Sequence, residues 1–221
     1  MIAFGGKEVR EDQIEDALWP EADGDSAHQS FKSNLHRLRQ LLGHEEAIQL
    51  QEGRLTLDPR HCWADVWAFE DSLGRAEALW EQGQSGGAVK LTEKALEMYK
   101  GAFLSREIEQ PWAVSTSERL RGKFLRSAGR MSLYWQQADQ WEKALGCYHK
   151  GLEVDDLAEE FYQGLMICYQ ELGRKTEALS VYNRCKRTLS STLGVEPSPK
   201  TEAIFRSIME NRRSCDTENE K

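Results

Sequence analysis

Apolar residues in the first third of the chain recur first at helical spacing and then at strand spacing. Residues 11–19 place Ile14, Ala17 and Leu18 on one helical face, and Pro20 stops the helix. The turn-rich stretch PEADGD follows. From Ser26 to Gly43, Ala27, Phe31, Leu35, Leu38 and Leu42 recur in steps of four and three, which makes one apolar stripe. Ser26 or Asp25 is the expected cap at its start, and Gly43 the expected left-handed end. AIQLQ and RLTLD then alternate apolar and polar residues around Glu52-Gly53, the pattern of a two-stranded hairpin with a tight turn.

From about Trp63 the pattern is helical throughout, and it repeats. A shift of 34 residues aligns Met131 with Leu165, Trp135 with Tyr169, Ala144 with Ala178, Leu145 with Leu179 and Tyr148 with Tyr182. That period belongs to tetratricopeptide (TPR) helix-turn-helix units. Gly173 falls at the turn between helices. Ala178, Tyr182 and Cys185 fall where the second helix packs tightly. An earlier, weaker unit keeps Gly83, Ala88 and Ala95 at the same internal spacing, with Thr92 in place of an aromatic residue. An insertion at about 103–124 separates it from the next unit. Ser198-Pro199 starts a final helix. Its apolar residues Ile204, Phe205, Ile208 and Met209 suit it to capping the stack.

Composition adds exclusions. The 221 residues include only five prolines, and 30% of them are charged. No apolar run approaches the roughly 18 residues of a membrane span, so no membrane association is expected. No secretory signal is legible at the N-terminus. Five scattered cysteines fit a reducing cytoplasm better than a disulfide framework. The net charge of −8 divides into −6 for residues 1–65 and −2 for the rest. Net charge therefore draws the chain to no polyanion. Yet Ser26–His44 holds no acidic residue, and it carries Lys32, Arg37 and Arg39.

SFKSNLHRLRQLLG, preceded by ALWPEADGDSAH and followed by AIQLQEGRLTLD, resembles the OmpR-type winged helix-turn-helix of SARP-type bacterial regulators. The remainder, from DVWAFEDSL to LGVEPSPKTEAIFRSI, resembles the bacterial transcriptional activator domain that follows this module. The resemblance implies a mainly α protein. A winged helix-turn-helix of two to three helices plus a hairpin wing would span 1–65. TPR-like antiparallel repeats would span 66–209, and a disordered tail 210–221. Against that family the chain opens late, at what looks like the last turn of the first helix. The stripe of Ile14, Leu18, Phe31 and Leu35 is therefore expected to be poorly covered. Arg10 stands where the family has a capping Ser or Thr, and Arg supplies no capping oxygen.

With the stripe turned inward, His28, Gln29, Lys32, Ser33, His36 and Arg37 remain for an outer surface. Gln29, Lys32, Ser33 and His36 are expected near the bases of double-stranded DNA, and Arg37 near phosphate. Arg54, at the hairpin turn, is expected to reach a neighbouring phosphate or the minor groove. The resemblance implies a groove along the repeats lined by Arg126, Gly129, Leu133, Gln136 and Gln137, and then by Glu160, Gln163, Ile167, Gln170 and Glu171. Partner candidates are RNA polymerase, an upstream sensor domain or a second copy of the chain. Trp63, Trp67 and Phe69 are expected to weld the wing to the repeats, with a small-molecule cleft at the domain interface as the alternative. No cofactor, metal site or catalytic set is expected. His61-Cys62 and Cys147-Tyr148-His149 lack a second ligand pair, and Ser85-Gly86-Gly87 lacks the frame of a phosphate loop. The competing reading is a TPR-type interaction scaffold whose winged helix does not bind DNA.

Overall fold

A computed structural model describes residues 1–104 and 110–216, with side chains through Glu210. The chain opens with a short 3-10 turn, Ile2–Phe4. It continues as β1 (Val9–Arg10), α1 (Glu11–Leu18), α2 (Gly24–Leu42), β2 (Ile48–Gln51) and β3 (Arg54–Leu57). Helices α3 (Asp65–Glu81) to α9 (Pro199–Asp216) follow: α4 Ser85–Met98, α5 Pro111–Gln137, α6 Trp141–Val154, α7 Glu159–Glu171 and α8 Lys175–Leu193. The fold is a winged helix followed by a TPR-like array, as the sequence implies.

The wing has three strands rather than two, in the order β1-β3-β2, all antiparallel. The two-residue β1 is too short to carry a period-2 signal, and tertiary pairing of Val9 with Leu55 creates it. The hairpin turn has positive φ at both Glu52 (49°) and Gly53 (69°), as a tight two-residue turn between twisted strands requires. Ile48, Leu50, Leu55 and Leu57 share one face of the sheet through the pairs Ile48–Leu57 and Leu50–Leu55. Val9, Ile14, Phe31, Leu35, Ile48 and Leu55 form the core of this half.

Two boundaries differ from expectation. The cap of α2 is Asp23, whose carboxylate accepts from the Ser26 backbone N–H (2.9 Å) and hydroxyl (3.2 Å), so the helix starts two residues early. Residues 111–124 are not an insertion between units. They are the first half of the 27-residue α5, with Pro111 at its start and Ala113, Thr116, Ser117 and Leu120 buried. Residues 105–109 lie outside the described residues. Gly43 does end α2 in the left-handed conformation. No side chain caps α1 at Arg10. Helix α9 continues to Asp216, into the segment expected to be a disordered tail, and 217–221 lie outside the described residues.

The repeats pack through small residues. Ala88, Ala144 and Ala178 are fully buried at equivalent positions. Between α6 and α7 the packing is reciprocal. The ring of Phe161 lies on Gly151, and the ring of Tyr148 lies on Gly164. The two rings meet edge to face at 5.8 Å. Cys147, Cys168 and Cys185 are buried. Burial pushes the Cys147 thiol up to about 11 and the Cys185 thiol up to about 12. Helix α9 closes the array by hydrogen bonds: Glu159 accepts from the Ser198 backbone N–H (2.7 Å) and the Thr201 hydroxyl (2.5 Å).

A methyl group at Gly164 would overlap the Tyr148 ring, which is itself buried. Gly164→Ala is therefore expected to destabilise by about 1–3 kcal/mol, despite alanine's better helix propensity. Gly146, on the same array, has open space around it. Gly146→Ala is expected to stabilise by about 0.5–1 kcal/mol. Urea midpoints of the two variants check the pair.

Candidate functional site

The face of α2 opposite its buried stripe is polar and basic. Ala27, Phe31 and Leu35 point into the core. Gln29, Lys32, Ser33, His36 and Arg37 are exposed, one or two turns apart, on the other side. Two of these side chains are held locally. The Ser33 hydroxyl donates to the Gln29 carbonyl (2.9 Å), and the His36 Nε2 lies 3.0 Å from the Gln40 amide. Arg39 belongs elsewhere. Its guanidinium donates twice to the Ile48 carbonyl, at 2.9 and 2.7 Å, and fastens α2 to the wing.

His28 is partly exposed and also tied to α1. Its Nδ1 sits 2.8 Å from Glu11 Oε1 and 3.0 Å from Glu15 Oε1, both on α1. The carboxylates stand one turn apart and converge on one imidazole nitrogen, so His28 braces α1 against α2. This cluster could be found from sequence only by knowing how the two helices cross. Arg54 is exposed at the start of β3, and register places it opposite Arg10 of β1. Two cations paired across strands repel each other. Arg10 also leans on Asp12, at 3.2 Å. Among the described residues, Lys32, Arg37 and Arg54 have no carboxylate within ion-pair distance. The sequence reading missed Arg10 as a neighbour of Arg54, because the pairing depends on β1.

Behind the wing, Asp58 ties the end of β3 to the linker. Its carboxylate accepts from the Arg60 guanidinium at 2.6–3.1 Å, from the Arg60 backbone N–H, and from Gln49 at 3.1 Å. The bonds from Arg60 hold the acid at about 2.

The apolar stripe has two fates. Ile14, Phe31 and Leu35, expected to be poorly covered, are buried beneath the sheet. Leu18, Leu38 and Leu42 are 50%, 46% and 42% exposed. They line a cleft of about 710 Å³ that continues to Trp63 of the linker and to Phe103 and Leu104 of the second half. The aromatic weld is correspondingly smaller than expected. Phe69 is buried and Trp67 lies against Gly6, but Trp63 is 76% exposed on the cleft wall. Along the same cleft, the Thr116 hydroxyl of α5 donates to the Ala3 carbonyl (3.0 Å), and Phe4 packs near Trp112 at 6.5 Å.

Along the repeats, Arg126 and Glu160 are exposed, and Ile167 and Gln170 are half-buried. Gln136 is half-buried and donates to the Cys168 sulfur at 3.2 Å. Gln163 leaves the expected groove. It is buried, and its amide donates to the Thr201 hydroxyl (2.9 Å) beneath α9. The placement of α9 over α7 is a long-range event that the repeat period does not encode.

With this geometry in hand, the chain can be set beside known proteins. Residues 64–209 match the bacterial transcriptional activator domain family, and the chain belongs to that family. Across 211 residues it is 24% identical to the regulatory protein AfsR of Streptomyces griseus, covering 92% of this chain and 21% of that protein. AfsR of Streptomyces coelicolor is likewise 24% identical, over 93% of this chain and 20% of its own length. The chain thus spans about a fifth of the length of the curated relatives it matches. The likeness to SARP-type regulators therefore holds over both halves. Among solved structures, Mycobacterium tuberculosis EmbR, determined in complex with a low-affinity phosphopeptide, superposes with a TM-score of 0.72 at 20% identity. It covers 93% of this chain and 55% of that one, and it shares the fold. Among the described residues, no helix is long and apolar enough to cross a membrane.

Two outcomes are expected. Phe31→Ala empties a covered site and should cost about 3–5 kcal/mol. Leu42→Gln alters the open cleft wall and should stay within about 0.5 kcal/mol. Thermal melts of the two variants check the division of the stripe. For Asp58, a carboxyl held below the usual carboxylate range means that its stabilisation is complete above the ordinary value of about 3.9. It is lost as pH falls through about 2. Asp58→Asn should therefore flatten the acid limb of a pH–stability curve.

Proposed function

We propose that this chain is the DNA-binding and repeat portion of a cytoplasmic transcriptional regulator, an activator, that works by binding and performs no chemistry. The carrying observation is the trio Lys32, Arg37 and Arg54, cations without carboxylate partners among the described residues, on the half of the chain whose net charge is −6. Cations left unpaired amid so many acids suit phosphate. Helix α2 enters the major groove with Gln29, Lys32, Ser33 and His36 towards the bases and Arg37 towards the backbone. Arg54, with Arg10 beside it, reaches the flanking phosphate, where an anion relieves their mutual repulsion. His28 serves this surface indirectly, by fixing the angle between α1 and α2. The family match supports the reading, as does the regulatory role carried by the names of the relatives.

The repeat array receives a protein partner along Arg126, Gln136, Glu160, Ile167 and Gln170. That partner is RNA polymerase, a sensor domain or a second copy of the chain. Two protomers on adjacent half-sites would gain affinity through avidity. One observation favours a second reading, a protein-interaction scaffold. The cleft opens along α2 itself, and a partner helix seated on Leu38 and Leu42 would occupy the DNA-reading element.

Fluorescence anisotropy with genomic duplex fragments, at low and moderate salt, tests the first reading. Lys32→Ala and Arg37→Ala should each weaken binding across sequences and reduce the slope of log affinity against log salt by about 1. If both variants bind like the parent, the reading fails and the scaffold takes its place.

A further inference from the structure

The first helices of the first two units face each other across a hollow of about 480 Å³ between α3 and α5. Lys123, Arg126 and Arg130 line its α5 wall, and Arg119 stands one turn before them, the four spaced by four, three and four residues. They form one basic row about 16 Å long. The α3 wall offers Glu70 and Glu77 alone. Glu70 is shared by Arg119 and Lys123, and Glu77 takes Arg130. Arg126 is left over, exposed and without a carboxylate within reach among the described residues. The Arg130 guanidinium also lies over the Trp80 ring, at 5.2 Å, which fixes its plane before any ligand arrives. The floor is formed by Leu73, Ala76, Trp80 and the buried Thr92, and it is open above Gly74.

We infer that this groove binds an acidic peptide segment of a protein partner. The inference rests on the reading of the repeats as a partner groove and names the chemistry of the occupant. Four cations against two carboxylates leave the α5 wall in excess, on a chain that is acidic overall. An extended peptide presents side chains on one edge every second residue, about 7 Å apart. The basic row, about 16 Å long with cations roughly 4–6 Å apart, is long enough to face two or three such side chains. Carboxylates of the peptide face α5, and an aliphatic side chain fits the floor. Glu70 and Glu77 on the facing wall would repel a continuous phosphate backbone. They tolerate a peptide whose acidic residues all lie on one edge.

The test uses the full chain and a fluorescein-labelled peptide of alternating Glu and Ser with one central Leu, read by anisotropy. A peptide with Lys in place of Glu is the control. Saturable, salt-sensitive binding of the Glu peptide alone is expected. Arg126→Glu should weaken it about tenfold or more, Arg126→Lys should bind close to the parent, and both should melt like the parent. Parental affinity in Arg126→Glu, or no binding of the Glu peptide to the parent, overturns the inference. Binding of the Lys peptide alone overturns it too, while leaving a peptide groove in place. Displacement of the Glu peptide by duplex DNA from the Lys32→Ala/Arg37→Ala double variant shows a nucleic-acid surface. That result overturns both the inference and the partner-groove reading.

Discussion

The two halves meet where the backbone at Gly6 passes over the indole of Trp67, and the rest of the arrangement follows from that contact. Gly6 has a φ of 69°, and its α-carbon lies so close to the Trp67 ring that a β-carbon would overlap it. The Gly6 carbonyl accepts from Leu57 (2.8 Å), which sets the edge of the wing. One residue thus fixes the wing against the first repeat helix. Through Arg39 and the Ile48 carbonyl, the wing in turn fixes α2. The direction in which Lys32 and Arg37 project is a consequence of backbone sterics some thirty residues upstream.

Much of this was legible in the sequence, for reasons that differ by element. The stripe of α2, the Glu52-Gly53 turn and the alanine–aromatic spacing of the repeats are local or periodic, so the chain displays them directly. Elements made by long-range pairing were not displayed. β1 exists because β3 offers it a partner. Gln163 is buried because α9 folds across it, and His28 leans onto α1 because Glu11 and Glu15 stand there. The continuation of α5 back to Pro111 was masked by Gly122, Ser115 and Ser117, whose helix propensities are weak. Tertiary burial of Ala113 and Leu120 overrides them.

Charge is organised on two scales. Over the whole chain acids exceed bases by eight, which favours solubility and discourages indiscriminate attraction to polyanions. On individual faces the order reverses. From Ser26 onward α2 carries no acidic residue, and α5 gathers four cations in one row. Such local excess is effective only at short range, since charges in water are screened beyond about 10 Å at moderate salt. Attraction by either face therefore acts only at close approach.

Helix α5 is a single rod of 27 residues, about 40 Å long. Its first turns hold the N-terminal segment through Thr116 and Trp112. Its middle carries the basic row, and its last turns reach the second repeat. Because that rod is continuous, the contacts that seat the N-terminal segment and the cations of the basic row are carried on one uninterrupted element.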